Sequence, residues 1–326
     1  MKFFAGLKKY NEELGKIAAF YQLPTAAIVA DCLICRLFHG ADVAQYIGFS
    51  MYKMKNRERK QYVTALRSAK IEKELNTGSE ADKAVIGDKR IFNETFSRFV
   101  KRKWIYAPEA TADEIRIFLE QNQIVLVKPL SNSKGIGVRK LKFSEIKELP
   151  SGIENFIKDA QRNNLLIESV IRQHPLLAAV NPSSVNTVRI CSVRDKTGEV
   201  HIIGASLRGG GEGSVVDNLH AGGVQYSVDV ETGIIQRGGV TFDGEKNILF
   251  HPSSHMKMIG FQIPNWDDVL RSVKEAGKIP ANIRYLGWDL AITEDGCEII
   301  EANYGQGSNG MQQDGVGKYR TIMQYR

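Results

Sequence analysis

Cysteine is scarce in this sequence, with four in 326 residues, at Cys32, Cys35, Cys191 and Cys297. They are too few and too scattered for the disulfide framework of a small secreted protein. Cys32 and Cys35 have the spacing of a redox or zinc motif, but they lie in an apolar stretch without a second Cys/His pair at metal spacing. We therefore expect buried thiols.

Long hydrophobic runs are also missing. The longest, residues 26–38, is interrupted by Asp31 and Arg36 and is too short to cross a bilayer. Residues 1–16 carry charges where a signal peptide has its apolar core. These features predict a cytoplasmic protein with no transmembrane segment.

The charge balance is modestly basic, with a net charge of +7 and a pI near 9.1. Such a balance suits acidic partners such as nucleotides, phosphates or anionic sugars. It is also compatible with nucleic acid, but no motif that interleaves basic and aromatic residues is present, so we do not expect a nucleic-acid partner.

The secondary-structure signals divide the chain near residue 78. Residues 1–78 are predicted to be helical, and the polar stretch 76–79 marks a boundary. Helices and strands alternate beyond it, and strands become more frequent in the second half. This pattern predicts an α+β protein.

A phosphate-binding loop is predicted after the strand 124–127. Lys128 ends the strand, and the small residues of 131–138 include Gly135 and Gly137, whose backbone N–H groups can approach oxygens closely. The pattern differs from a Walker motif because no Lys-Ser/Thr pair follows the last glycine. The alternative is an ordinary glycine turn beside a surface lysine.

Oxygen ligands cluster near the C-terminus. Asp289 lies on one predicted strand, and Glu301 and Asn303 share one face of the next, after a turn at 294–296. Three oxygen ligands on adjacent strands suit Mg²⁺ that bridges nucleotide phosphates. The alternative is a salt-bridge cluster on an edge strand.

Two arginines lie in strand-like, glycine-rich surroundings between these segments. Arg189 and Arg208 are suited to a phosphate or a substrate carboxylate. His220 follows in the glycine-rich turn 217–223, where it could be a general base or a hydrogen-bonding loop residue. We do not nominate His220 as the catalytic base.

The order of these motifs resembles the ATP-grasp fold, and the segment 186–223 resembles the ribosomal-protein glutamate ligases of that superfamily. From Asp31 to Gly307 the chain is most similar to the sugar-transfer-associated ATP-grasp family, also called alpha-L-glutamate-ligase-related proteins. The motifs that carry this second resemblance are residues 31–40 with the Tyr/Phe-rich helix after them, Asn186-Thr187-x-Arg189, Val216-Asp217-Asn218, His251-Pro252, Ile263-Pro264-x-Trp266 and Gly287-Trp288-Asp289.

The resemblance implies two α+β lobes that clasp ATP, at 79–165 and 166–326, after the helical region 1–78. It also implies a role for each matched residue. Lys89 and Lys128 would bind the nucleotide, and a mobile phosphate loop would include Ser133, Gly135 and Gly137. The hinge that reads adenine would consist of Glu168, Ser169, Val170 and Ile171. Arg189 and Arg208, together with Lys128, would make catalytic contacts to the γ-phosphate and acyl phosphate, and the Mg²⁺ ligands would be Asp289, Glu301 and Asn303.

The chain departs from the resemblance at the ribose contact. Many ATP-grasp ligases have an acidic residue about seven positions beyond the hinge glutamate, where this chain has Pro175. Gln173 and His174 are the alternatives for that contact.

The implied activity is ATP- and Mg²⁺-dependent joining of a carboxylate to an amine through an acyl phosphate, with release of ADP. The family context implies a sugar acid or amino acid in surface polysaccharide biosynthesis, either small or linked to a glycan, and an association with polysaccharide-synthesis enzymes. One alternative is a phosphotransferase that keeps the same ATP site. A non-catalytic basic binding module is another, and the predicted metal ligands count against it.

Overall fold

The structure, a computed structural model, describes residues 2–130, 137–148, 152–214, 217, 222–241, 246–304 and 310–326. The helices in these ranges are α1 Lys2–Lys9, α2 Asn11–Phe20, α3 Thr25–His39, α4 Val43–Gly48, α5 Asn56–Arg59, α6 Ala65–Leu75, α7 Glu80–Gly87, α8 Lys89–Thr95, α9 Ala112–Asn122, α10 Phe143–Glu148, α11 Gly152–Arg162, α12 Pro175–Val180, α13 Trp266–Ala276 and α14 Tyr319–Met323. The strands are β1 Trp104–Tyr106, β2 Ile124–Pro129, β3 Arg139–Lys142, β4 Leu165–Ser169, β5 Thr187–Arg194, β6 Val200–Gly209, β7 Val224–Val228, β8 Gly239–Thr241, β9 Lys246–Ile248, β10 Tyr285–Thr293 and β11 Gly296–Asn303.

The strands form two antiparallel sheets. The small sheet has the order β1-β4-β2-β3, and the large sheet has the order β11-β10-β5-β6-β7-β8-β9. The β10–β11 pair is the hairpin that the turn at 294–296 predicts. Separate helices and antiparallel sheets confirm the predicted α+β class.

Each sheet has its own core. In the small sheet, Val125 and Ile167 pack with Ile115 of α9 and Phe156 of α11. In the large sheet, the buried Trp288 contacts Phe96 edge to face, with ring centroids 5.6 Å apart. Amphipathic helices thus cover one face of each sheet and bury its apolar side chains.

The chain crosses between the two sheets at places that differ from the predicted boundaries. Helices α7 and α8 lie within 79–165, yet Ile86 and Phe92 pack in the core of the large sheet. Strand β4 extends past residue 165 and pairs with β1 and β2 of the small sheet. The lobe limits at 165 and 166 therefore stay predictions, and β4 straddles them.

The N-terminal helices form a third cluster. Leu14, Ile28 and Tyr46 are buried together with Cys32 and Cys35. All four cysteines of the chain are buried and free of disulfides, as expected. Helix α6 is an exception in region 1–78, because it packs with Tyr285 of β10 in a core next to the large sheet.

Helix α3 ends at a glycine. Gly40 follows it with φ +70°, a left-handed conformation that favours glycine, and the N–H groups of Gly40 and Ala41 donate to the carbonyls of Arg36 and Cys35 in the last turn. A Cβ at Gly40 would lie 2.6 Å from Leu66, so α6 begins directly against this end of α3. Among the described residues no single helix has the length and hydropathy of a membrane span, although α2 and α3, which are bent by 114°, reach that length and hydropathy when taken together.

A buried charge network joins the two sheets. The Arg102 guanidinium contacts the carboxylates of Glu168 on β4 and Glu298 on β11, each at 3.0 Å. It also donates to the carbonyl oxygens of Ile299 and Ile300 at 3.0 and 3.1 Å. Burial alone would raise the pKa of Glu168, but Arg102 and Lys128 outweigh burial and lower that pKa to about 2.

We predict that Glu168→Gln lowers the free energy of unfolding by about 3 kcal/mol near neutral pH, because it leaves Arg102 buried with one carboxylate fewer. The pKa of Glu168 is depressed in the folded state, so the Glu168 contribution is complete above its unfolded pKa and is lost as pH falls toward 2. Urea unfolding from pH 7 to pH 3 should show the difference between wild type and variant constant at first and shrinking below about pH 4.5.

The matched control is Glu12→Gln. Glu12 forms an exposed i,i+4 pair with Lys16, so its loss should leave stability nearly unchanged. Equal stabilities of wild type and Glu168→Gln at neutral pH would contradict the role of the network.

Candidate nucleotide and metal site

The predicted metal ligands lie in one row across the large sheet. Asp289 of β10 is directly opposite Glu301 of β11 on one side and Arg189 of β5 on the other. Asn303 is two residues beyond Glu301 and so shares its face of the strand. The row forms because consecutive hairpin strands and the antiparallel β5 bring residues 100 positions apart into register.

The side chains in this row contact one another closely. Arg189 forms a two-pronged ion pair with Asp289, in which Nη2 lies 2.7 Å from Oδ2. Arg208 of β6 reaches the same carboxylate at 3.3 and 3.4 Å. The Asn303 amide donates to Glu301 at 3.1 Å and to Asp289 at 3.5 Å.

The pKa values of the Asp289 and Glu301 carboxylates are shifted in opposite directions. Burial disfavours the charge on Asp289, but Arg189 and Arg208 outweigh burial and lower its pKa to about 2. Burial, and then the nearby charge of Asp289, raises the pKa of Glu301. Glu301 is therefore a carboxylate with too little positive charge near it.

This donor set fits a hard divalent cation. Two carboxylates and an amide oxygen on adjacent strands are ligands that Mg²⁺ prefers, and a cation would offset the unfavourable charge of Glu301. Asp289, Glu301 and Asn303 would hold the metal.

Both predicted nucleotide lysines lie at the end of β2. The Lys89 ammonium donates to the carbonyl oxygens of Pro129 and Leu130, each at 3.1 Å. Burial lowers the pKa of Lys89; the charge of Glu301 opposes this, and the charge of Lys128 adds to it. Lys89 therefore lies close enough to Glu301 and to Lys128 for their charges to act on it.

The phosphate loop is described only at its end. Ser133 and Gly135 lie outside the described residues. Gly137 has φ +79°, which favours glycine there. The binding role of the loop stays a prediction.

The predicted hinge begins at a buried carboxylate. The Glu168 carboxylate is 1% exposed and contacts Arg102, Lys128 and Asn93, and its role in reading adenine stays a prediction. Ser169 pairs with Lys103, accepting from its N–H at 3.0 Å and donating to its carbonyl at 2.8 Å. Val170 and Ile171 follow β4 and are half-buried, and their contact with adenine stays a prediction.

The alternatives for the ribose contact differ in availability. The Gln173 amide donates to the carbonyls of Asn181 and Ser184 and accepts two hydrogen bonds from Asn186, so its hydrogen-bonding capacity is used. His174 accepts from the N–H of Leu176 and caps α12. Of the two, His174 remains the candidate.

Several supporting residues are not predicted from the sequence. Arg102, Asn93 and Glu298 are ordinary polar residues in sequence, and only the fold brings them together. Asp217 accepts hydrogen bonds from the N–H and hydroxyl of Thr187, next to Arg189. Burial raises the pKa of Asp217, and Arg208 opposes that rise. His220, of the same turn, lies outside the described residues.

We predict opposite effects from neutralising the two carboxylates. Asp289→Asn should lower the metal-free free energy of unfolding by about 3 kcal/mol, because Arg189 loses its buried partner. Glu301→Gln should leave that free energy unchanged or raise it, because it removes a carboxylate that burial and Asp289 disfavour. Chemical unfolding in a chelator measures both effects.

The same variants separate metal binding from stability. Added Mg²⁺ with ADP should stabilise the wild type and should stabilise Glu301→Gln much less. A strong loss of metal-free stability in Glu301→Gln would show that the residue is a structural member of a salt-bridge cluster.

A family profile described as sugar-transfer associated ATP-grasp matches residues 66–319. A search of curated proteins finds no match. Among solved structures, the ATP-grasp ligase PsnB in complex with a precursor variant, Mg and ADP is 14% identical, with 82% of this chain and 68% of PsnB covered and a TM-score of 0.46.

Two further structures have similar scores. The L-amino acid ligase from Bacillus licheniformis is 13% identical, with 78% of this chain and 52% of that protein covered and a TM-score of 0.47. The D-alanine–D-alanine ligase from Bacillus anthracis is 13% identical, with 75% and 68% covered and a TM-score of 0.42. The profile match covers most of the chain and confirms the predicted family and fold: the protein belongs to the sugar-transfer associated ATP-grasp family.

Proposed function

We propose that this protein is an ADP-forming ligase that joins a carboxylate to an amine, with ATP as the phosphoryl donor and Mg²⁺ as the metal. The row of Arg208, Arg189, Asp289 and Glu301 carries the proposal, because it combines hard-cation ligands with cations suited to phosphate. Lys89 and Lys128 approach the same space from the small-sheet side.

The proposed reaction has two steps. An oxygen of the substrate carboxylate attacks the γ-phosphorus, the bond from that phosphorus to the β,γ-bridging oxygen breaks, and ADP leaves. The amine then attacks the carbonyl carbon of the acyl phosphate, the carbon–oxygen bond breaks, phosphate leaves, and the nitrogen loses a proton. Bound Mg²⁺ would supply charge neutralisation at the phosphate oxygens.

The two arginines have different proposed roles. Arg189 is held in a two-pronged pair with Asp289, so it positions a metal ligand. The contacts of Arg208 with Asp289 are longer, at 3.3 and 3.4 Å, and a small side-chain movement would bring it to the transferred phosphoryl group. Arg208 is therefore the proposed catalytic arginine, and Arg189 is a positioning residue.

The proposed substrate is a uronic acid or amino acid, free or linked to a glycan, in cytoplasmic steps of surface polysaccharide biosynthesis. The family description, which associates these proteins with sugar transfer, supports this choice. Association with polysaccharide-synthesis enzymes is part of the same proposal.

We predict that a uronic-acid glycan or nucleotide sugar, mixed with amino acids, ATP and Mg²⁺, gives an amide with one ADP and one phosphate released for each bond. Mass spectrometry detects the product, and hydroxylamine should trap the acyl phosphate as a hydroxamate. A stable phosphorylated product without hydroxamate would establish the phosphotransferase instead. AMP and pyrophosphate would reject the acyl-phosphate mechanism.

A second prediction separates the arginines. Arg208→Gln should lower kcat by about a hundredfold or more, with little loss of stability. Arg189→Gln should also lower the free energy of unfolding by about 3 kcal/mol, because it leaves Asp289 in a buried site without its main partner. Turnover of Mg²⁺–ATP and urea unfolding of both variants provide the comparison. Equal stability losses in the two variants would remove the distinction.

A further inference from the structure

The positive charge of the chain is concentrated in its first quarter. Residues 1–78 contain 13 Lys and Arg against 7 Asp and Glu, a net charge of +6 out of the total +7. The remainder, which contains the nucleotide and metal site, is nearly neutral. The basic character of the protein therefore belongs to the N-terminal helices and not to the site.

Helix α3 is apolar on the side that faces solvent. The outer face of α3 consists of Ala27, Ala30, Ile34, Leu37 and Phe38, all exposed, with Leu37 at 77% and Phe38 at 74%. Their spacing of three and four residues places them on one stripe that covers roughly 100° of the helix.

The opposite side of α3 is already used by the fold. Ile28, Cys32 and Cys35 pack in the core of the N-terminal helices. A helix that is apolar on both sides is normally buried on both sides, so the outer face of α3 lacks a covering partner within the described residues.

Asp31, the acidic residue of α3, is paired with an arginine and so would not repel an anionic surface. Arg59 contacts both oxygens of Asp31 at 2.8 Å, and the Tyr46 hydroxyl donates to the same carboxylate at 2.8 Å. This pairing neutralises the negative charge that α3 carries.

Several cations lie near the C-terminal end of α3, on the side away from its exposed stripe. Arg67 lies 3.4 Å from the ring of the buried His39 and donates to the carbonyls of Arg59 and Tyr62. The side chain of Arg36, in the last turn, donates to the carbonyl of Gly40. These arginines add positive charge to this part of the chain, but the cations next to exposed apolar side chains are on α6.

Helix α6 continues this surface. The N–H of Leu66 donates to the carbonyl of Gly40 at 3.2 Å, which places the exposed Leu66 side chain beside the end of α3. Ala69, Lys70 and Lys73 are exposed one turn and two turns further along the same side of α6. Lys70 also lies 4.0 Å from Glu74.

We propose that the outer face of α3, with Leu66 and the neighbouring cations, docks the protein on an anionic lipid bilayer. Helix α3 has 15 residues, fewer than the roughly 20 needed to span a bilayer, so it lies in the interface plane. Its apolar side chains enter the boundary between headgroups and acyl chains, and the cations pair with anionic headgroups. A second copy of the chain is a poorer occupant, because it brings a like charge of +6 to the same surface.

Flotation of the full-length protein with vesicles tests the proposal. Wild type should float with vesicles of phosphatidylcholine and phosphatidylglycerol, should float less with phosphatidylcholine alone, and should be released by added salt. The double variant Leu37→Gln/Phe38→Gln should bind about tenfold more weakly or worse, because two apolar side chains no longer enter the bilayer.

Two controls are matched to these changes. Ile117→Gln alters an exposed apolar residue on α9, in the small-sheet lobe, and should bind as wild type does. Lys70→Gln/Lys73→Gln should weaken binding to anionic vesicles, whereas Lys140→Gln, an exposed lysine on β3, should not. Calorimetry with Mg²⁺–ATP checks that every variant keeps its fold.

A depth measurement tests the orientation. Phe38→Trp should add fluorescence that brominated lipids quench, and Ile117→Trp should add fluorescence that they do not quench. Equal quenching at the two positions would overturn the proposal, as would equal flotation of Leu37→Gln/Phe38→Gln and wild type. Failure to bind anionic vesicles, with a concentration-dependent dimer that Leu37→Gln/Phe38→Gln abolishes, would also overturn it and would assign the face to a second copy of the chain.

Discussion

The Arg102 guanidinium lies between two carboxylates that belong to different sheets, and the nucleotide and metal site depends on that arrangement. Glu298 is on the strand that also carries Glu301, and Glu168 is on the strand next to Lys128. One buried cation therefore sets the distance between Lys128 and the row formed by Asp289, Glu301 and Asn303. Removing one partner of a buried ion pair costs much free energy, because the other charge is left unpaired, so this distance is held firmly.

Two acidic residues, Glu168 and Glu301, show how differently the fold treats two carboxylates. Glu168 has positive partners on both sides, and its depressed pKa shows that the folded state favours its charge. Burial, and then the charge of Asp289, raises the pKa of Glu301. A fold that keeps an unfavourable carboxylate gives up stability at that position, which is typical of a site prepared for a charged ligand.

Local patterns in the sequence predict much of this architecture. Alternating strands with a short turn predict the β10–β11 hairpin, and the register then places Asp289 opposite Glu301. The ion pair between Glu168 and Arg102 is not predicted, since Arg102 is 66 positions away and looks like one member of a basic surface run at 101–103. Contacts set by the crossing of the chain between sheets have no local signal, and for the same reason the packing of α6 beside the large sheet is not predicted.

The buried charge network around Arg102 also constrains which amino-acid substitutions the protein tolerates. A neutral or reversed charge at Arg102 leaves two buried carboxylates facing each other, and a change at either carboxylate leaves the guanidinium with excess charge. Substitutions at these three positions are therefore non-additive, and a tolerated replacement alters them together. In a library of random variants, Arg102, Glu168 and Glu298 should behave as a single unit of selection, joined through space across nearly 200 positions of sequence.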